Sequence, residues 1–190
     1  MDIVEQIKQY KPINELEERD KELILKCIDT YPDIFERSNP VCHMTASAWV
    51  TNFDHTKILM AYHNIYKSFS WLGGHCDGER DCLKVALQEV QEESGINNVK
   101  AISDEIISLE VLTVDGHYKH GKYVSSHLHL NVTYLIEADD SQALRIKEDE
   151  NSAVKWFNKE EAIDASNEPW FRENIYSKLN KRLEEYIWRQ

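Results

Sequence analysis

The sequence predicts an α+β domain, and three observations carry that prediction. β-prone runs separated by turn signals occupy residues 45–63 and 106–136. Amphipathic helical spacing marks both ends of the chain. Between the two groups of strands lies one well-punctuated helix, entered from a glycine pair and closed by Gly95. No repeat or linker divides the 190 residues, so the expected organisation is a single domain over 1–190. It comprises a helical N-terminal extension (1–40), a core (43–166) and a C-terminal helix (167–190).

In chain order, residues 1 to about 37 carry Leu16, Leu23, Ile24, Cys27 and Ile28 at helical intervals among charged residues. Pro12 and Pro32 predict two helical pieces rather than one, and Asn39-Pro40 reads as a turn. Thr45–Asn52 and Lys57–His63 are β-prone and joined by Asp54-His55-Thr56, which predicts a hairpin. A helix is expected from about Asp81 to Ser94, and strands at Ile106–Val114 and Leu128–Ile136. The polar loop 115–122 separates those strands. Val154–Phe157 is a short strand, and Asn158 is placed to cap a helix over Lys159–Ala165. A last helix from about Glu168 to Trp188 aligns Phe171, Ile175, Leu179, Leu183 and Ile187 on one stripe. That stripe would cover the domain or pair with a second subunit, and a homodimer is one expectation.

A net charge of −12 repels polyanions, so general nucleic-acid binding is not expected. A small phosphorylated ligand stays open, because metal ions and local Lys or Arg can reverse the sign within a site. The N-terminus has no apolar core of a secretory signal, and no apolar run is long enough to span a bilayer. The four cysteines lack a C-x-x-C pair and read as reduced thiols of a cytoplasmic protein with no membrane association. Cys76 and Cys82 lie close to His75, but a full zinc ligand set at usual spacing is missing.

Chemistry concentrates between Gly73 and Ile96. Glu89, Glu92 and Glu93 follow i, i+3, i+4 spacing, which places three carboxylates within an arc of roughly 100° on one helix face. Leu83, Ala86, Leu87 and Val90 form another face that would dock on a core. Like charges on neighbouring turns weaken a helix, and hard divalent cations that prefer oxygen ligands would offset the repulsion. The glycines before the helix let backbone approach a ligand closely. Glu-rich helices are more often plain solvated faces, so the glycine pair and flanking strands are what favour a site.

These residues resemble the Nudix box, G-x5-E-x7-R-E-U-x-E-E-x-G-U with U a bulky aliphatic. The ending Glu89-Val90-Gln91-Glu92-Glu93-Ser94-Gly95-Ile96 fits it fully. The resemblance spans residues 43 to about 166. It implies an α/β/α sandwich with a mixed sheet, and hydrolysis of a nucleoside diphosphate derivative with Mg²⁺ or Mn²⁺. It further implies that Glu89, Glu92 and Glu93 bind metal, with Glu92 or Glu93 also helping to activate water. Counted from Gly74, Arg80 stands where the family has Glu, and Gln88 where it has Arg. Glu79 is one residue from the first of these positions and could stand in for it. Neutral Gln88 cannot supply a charge-assisted fork to a carboxylate. The alternative reading is therefore a catalytically weak or silent nucleotide-binding module.

Among Glu148, Asp149 and Glu150, which precede the Val154 strand, Glu150 is the preferred catalytic base. Gly73, Gly74 and His75 are expected to border the substrate. His127 and His129, two apart on a strand, share a face and could meet a phosphate. His43 is expected to be structural. Lys119 and Lys122 are expected to be exposed loop residues.

Overall fold

β1 (Cys42–Asn52) is buried along its whole length. That burial follows from its place in the sheet: it lies between β9 (His127–Ala138), which pairs with it in parallel over eleven positions, and antiparallel partners on its other edge. The computed structural model describes residues 1–119 and 121–188. β2 (Lys57–His63) pairs with β1 only at Leu59 and Ile58 and then splays away. β3 (Ser68–Ser70) and β4 (Leu72–His75) fill the wedge, β3 on β2 and β4 on β1. β10 (Asn151–Asn158) closes one edge on β2. Beyond β9 lie β5 (Val99–Ala101) and β6 (Ser108–Val114). The sheet is mixed, as expected. Residues 115–122, expected as a loop, hold most of a small hairpin, β7 (His117–Lys119) with β8 (Lys122–Val124). His120 and the Lys119 side chain fall outside the described residues.

Alternation along β1 separates two cores. Met44, Ala46, Ala48 and Val50 pack with Leu130, Val132 and Tyr134 of β9 under α3 (Cys82–Ser94), through Val85, Ala86 and Val90. Trp49 points the other way, into Ile175, Tyr176, Leu179 and Leu183 of the C-terminal segment and Ala162 of α4 (Lys159–Ala165). Helices thus cover both faces, and at roughly 25 cal/mol per Å² this apolar burial is the main stabilising term.

The N-terminal region forms α1 (Ile3–Gln9), capped by Asp2, and α2 (Glu15–Thr30), capped by Asn14. Helix was expected to about 37, but α2 stops at Thr30, because Pro32 forces Tyr31 into an extended conformation. Leu23 is exposed and Glu17 is fully buried, the reverse of the apolar count. The C-terminal helix is not uniform. α5 (Pro169–Phe171) runs through a π-helical turn (Arg172–Tyr176) into α6 (Ser177–Ile187). The extra residue of the π turn lets Ile175 and Tyr176 both face the core. Tyr176 stacks on Trp49 at 5.4 Å between centroids. The expected apolar stripe lies on the chain's own sheet through Leu183, and Ile187 is exposed.

Glu17 explains how the ends are tied together. Lys178 of α6 pairs with Glu17 at 2.8 Å and with Glu110 of β6 at 3.0 Å, both carboxylates being fully buried. Tyr10 donates to Glu17, and Asn131 donates to Glu110. The Asn131 carbonyl in turn accepts from Thr45 and Ser47. Burial lowers the Lys178 pKa, but Glu110 and Glu17 outweigh that and hold it above the ordinary lysine value. Among the described residues no helix is long and apolar enough to cross a membrane.

Candidate active site

Pairing of β4 with β1 sets Ser47 opposite Gly73, Ala46 opposite Gly74 and Thr45 opposite His75. The chain then turns into α3, held by Cys76 N–H to the Met44 carbonyl (3.2 Å) and Gly78 N–H to the Phe35 carbonyl (2.9 Å). Arg37 grips Asp77 of this turn through two guanidinium nitrogens. Asp81 caps α3 by accepting from Lys84 N–H at 3.0 Å. Gly95, at φ +75°, ends it in the left-handed conformation with its N–H on the Gln91 carbonyl.

Glu79, which could stand in for the missing box Glu, lies outside the group formed by Glu89, Glu93 and Glu150. Its carboxylate accepts from the N–H groups of Arg80 and Asp81 and pairs with Lys84 at 2.6 Å, so it serves the helix entry. Arg80 lies over the Phe35 ring at 4.5 Å. Gln88 is exposed.

Inside this frame, carboxylate oxygens of Glu89, Glu93 and Glu150 lie within 4.8 Å of one another. Gly73 N–H donates to Glu93 at 3.2 Å. A Cβ at Gly74 would stand 2.1 Å from the Glu89 carboxylate, so only glycine lets that group lie against the loop. Glu150 is delivered by the segment before β10. There Asn151 donates to the Glu93 carbonyl at 3.1 Å and accepts from Lys147 N–H at 3.2 Å. Glu93 is 5% exposed, and burial, then repulsion from Glu89 and Glu150, pushes its pKa well above the ordinary carboxylate value. Burial lifts Glu89 to about 7, opposed by Lys147 and reinforced by Glu150 and Glu92. Three oxygens at this spacing, two of them costly to ionise, fit a hard divalent cation, which prefers oxygen ligands and would reverse that cost.

Glu92 sits apart from this triad. It is exposed and pairs with Lys147 at 3.1 Å, and Lys147 also reaches Glu150 at 3.0 Å. Burial lowers the Lys147 pKa, but its bonds to Glu150 and Glu92 hold it above the ordinary value. Lys147 thus brings a positive charge to the carboxylates that Gln88 does not supply. Sequence reasoning passed over Lys147, although it stands three residues before Glu150 in an otherwise acidic run.

His75, His127 and His129 come together, and they do so around His43, which was expected to be structural. The His43 ring centroid is 5.0 Å from His75, 4.9 Å from His127 and 5.0 Å from His129. Strand register produces this: His43 stands beside His129 in the parallel β1–β9 pair, and side chains two apart share a face. Burial lowers the His43 pKa; burial followed by His75 and His43 lowers that of His129 to about 2, so neither is protonated near neutral pH.

A mixed sheet between helices, with a carboxylate-bearing helix entered from a glycine pair, makes an α/β/α sandwich. A model of the NUDIX domain matches residues 42–179, and the chain belongs to that family. It is a Nudix hydrolase, of a family that acts on nucleoside diphosphate derivatives and generally needs divalent metal ions. Among solved structures it is similar to the C. elegans Ap4A hydrolase in a binary complex. That match is 16% identical, covers 77% of this chain and 98% of the other, and has TM-score 0.55. A NUDIX-family hydrolase from Clostridium perfringens is 20% identical over 75% of this chain and 97% of its own, at TM-score 0.53. RenU, a Nudix hydrolase from M. smegmatis, is 11% identical over 77% and 86%, at TM-score 0.51. No curated protein matches the chain.

Proposed function

We propose that the chain hydrolyses the diphosphate linkage of a nucleoside diphosphate derivative, using Mg²⁺ or Mn²⁺ held by Glu89, Glu93 and Glu150. One observation supports this above all: three carboxylates gathered within 4.8 Å, partly buried, against a glycine loop. When bound, the ion supplies charge neutralisation for the diphosphate as its linkage breaks. Glu92 stands at the rim on Lys147, from where it can join the ligand set. Glu93 and Glu150, with Glu92, are the groups placed to take a proton from the attacking water. Gly73 and Gly74 let the substrate lie close to backbone, and His75, His127 and His129 line the continuation of that loop. Four free, buried cysteines suit a reducing compartment such as the cytoplasm.

The test is chromatographic detection of the two phosphorylated products formed from a panel of ADP-ribose, dinucleoside polyphosphates, nucleotide sugars, coenzyme A and oxidised nucleotides, with each metal. The Ap4A hydrolase likeness supports including the second class. The reading predicts turnover of at least one class that a Glu89→Gln/Glu93→Gln variant lacks. Nucleotide binding with no turnover above that variant would establish the silent binding module instead.

A further inference from the structure

We propose that His43, His75 and His129, with His127 as a fourth donor, form a second metal site that takes a late first-row divalent ion such as zinc. This goes beyond the hydrolase reading and does not depend on it. Ring nitrogens of His43, His75 and His129, from three different strands, lie within 4.8 Å of one another. His43 is 3% exposed, and its Nδ1 stands 3.2 Å from the Asn39 carbonyl. A carbonyl can only accept, so Nδ1 carries the hydrogen and Nε2 keeps its lone pair. That Nε2 is buried and has no hydrogen-bond partner among the described residues. A buried acceptor left without a partner is costly unless something satisfies it.

His127 repeats the pattern. Its Nδ1 donates to the Ser125 carbonyl at 2.8 Å, so its Nε2 is an acceptor, taking a hydrogen bond from Nε2 of His129 at 3.3 Å that a bound ion would replace. Two nitrogens on one tetrahedral zinc, each about 2.0–2.1 Å from the ion, stand roughly 3.3–3.4 Å apart. Imidazoles that bind metal commonly give their other N–H to a backbone carbonyl, which fixes tautomer and ring orientation. His43 and His127 both do this without help from the carboxylates.

Donor chemistry separates the two sites. Imidazole nitrogen selects zinc, cobalt, nickel or copper, whereas the Glu89/Glu93/Glu150 oxygens suit Mg²⁺ or Mn²⁺. The side chains of His75, His127 and His129 are each partly exposed, which leaves the site open to an entering ion. The ion would add positive charge to the loop lining proposed for the phosphates.

The probe is zinc, titrated into metal-free protein held in excess Mg²⁺, with cobalt(II) as a spectroscopic substitute. One equivalent of zinc should bind, and cobalt(II) should develop the intense visible bands of a tetrahedral nitrogen site. His75→Ala and His129→Ala should each weaken zinc binding at least tenfold, while Glu89→Gln/Glu93→Gln keeps it within twofold. Both histidines are partly exposed, and circular dichroism with thermal melting checks that their variants fold. The cobalt spectrum of the unaltered protein needs no variant. Absence of those bands overturns the proposal, as does zinc uptake that survives both histidine changes or disappears with the glutamate pair.

Discussion

The protein buries carboxylates in two places and treats them differently. Glu17 and Glu110 are fully buried, yet Lys178 lies 2.8 and 3.0 Å away, and Tyr10 and Asn131 donate to the remaining oxygens. Glu93 and Glu89 are gathered with Glu150 with one Gly73 N–H on Glu93 and with Lys147 only at the rim, on Glu92 and Glu150. Desolvation applies to both sets. The first brings its cation on the same chain and so acts as a structural clamp between α2, β6 and α6. In the second, Lys147 pairs with Glu150, but among the described residues no cation pairs with Glu89 or Glu93, and the cost shows in their raised pKa values. Under the proposed function, a cation from solution would offset that cost.

The largest expected effect breaks the first set. Lys178→Met would leave two buried carboxylates unpaired and should cost about 3–5 kcal/mol in urea unfolding, whether or not Mg²⁺ is present. Stability equal to that of the unaltered protein would show that the clamp is no anchor. The second set should respond in the opposite sense. Glu93→Gln should lower hydrolysis by about a hundredfold, equivalent to ~2.7 kcal/mol. Its metal-free melting temperature should hold or rise, because a costly buried charge is gone.

Acidity sharpens the contrast further. The folded pKa of Glu89 is raised from 4.5 to about 7, so the folded state binds the proton more tightly than the unfolded one. The metal-free protein is therefore relieved of this burial cost at low pH and loses stability as pH rises from 4.5 through about 7. A cation reverses this by binding the ionised form. Saturating Mg²⁺ should accordingly raise the melting temperature more at pH 8 than at pH 6. An equal gain at both would disconnect the carboxylates from metal binding.

Smaller effects test the rim. Lys147→Met should lower kcat/KM about tenfold, with a stability change below about 1 kcal/mol, since the lysine is partly exposed. Gln88→Arg should alter activity no more than about twofold, the scale of ~0.5 kcal/mol typical of exposed positions. A large gain from that change would show that Lys147 does not fill the role of the box arginine.

Much of this was legible in the residues. The Glu89–Ile96 ending, the helix start near Asp81 and the closing Gly95 are local signals, and local signals survive without tertiary context. The splayed hairpin, with β3–β4 in its wedge, was not legible, because pairing partners are chosen by long-range packing. Nor was the burial of Glu17. A helical wheel scores it as solvent-facing, and only Lys178, 161 positions away, makes its burial tolerable. The π turn was hidden for a similar reason, since it exists to bring Ile175 and Tyr176 together onto Trp49.

By itself the sequence determined the mixed α+β fold, the family and the helix that carries the carboxylates, because spacing, capping and glycine chemistry act over a few residues. Only the tertiary structure decided which carboxylates meet. It sets Glu92 on Lys147 and brings Glu150 across to Glu89 and Glu93, through the Asn151 bond to the Glu93 carbonyl. It likewise turned four scattered histidines into one cluster, since the register of β1 on β9 and β4 fixes distances that no linear spacing encodes.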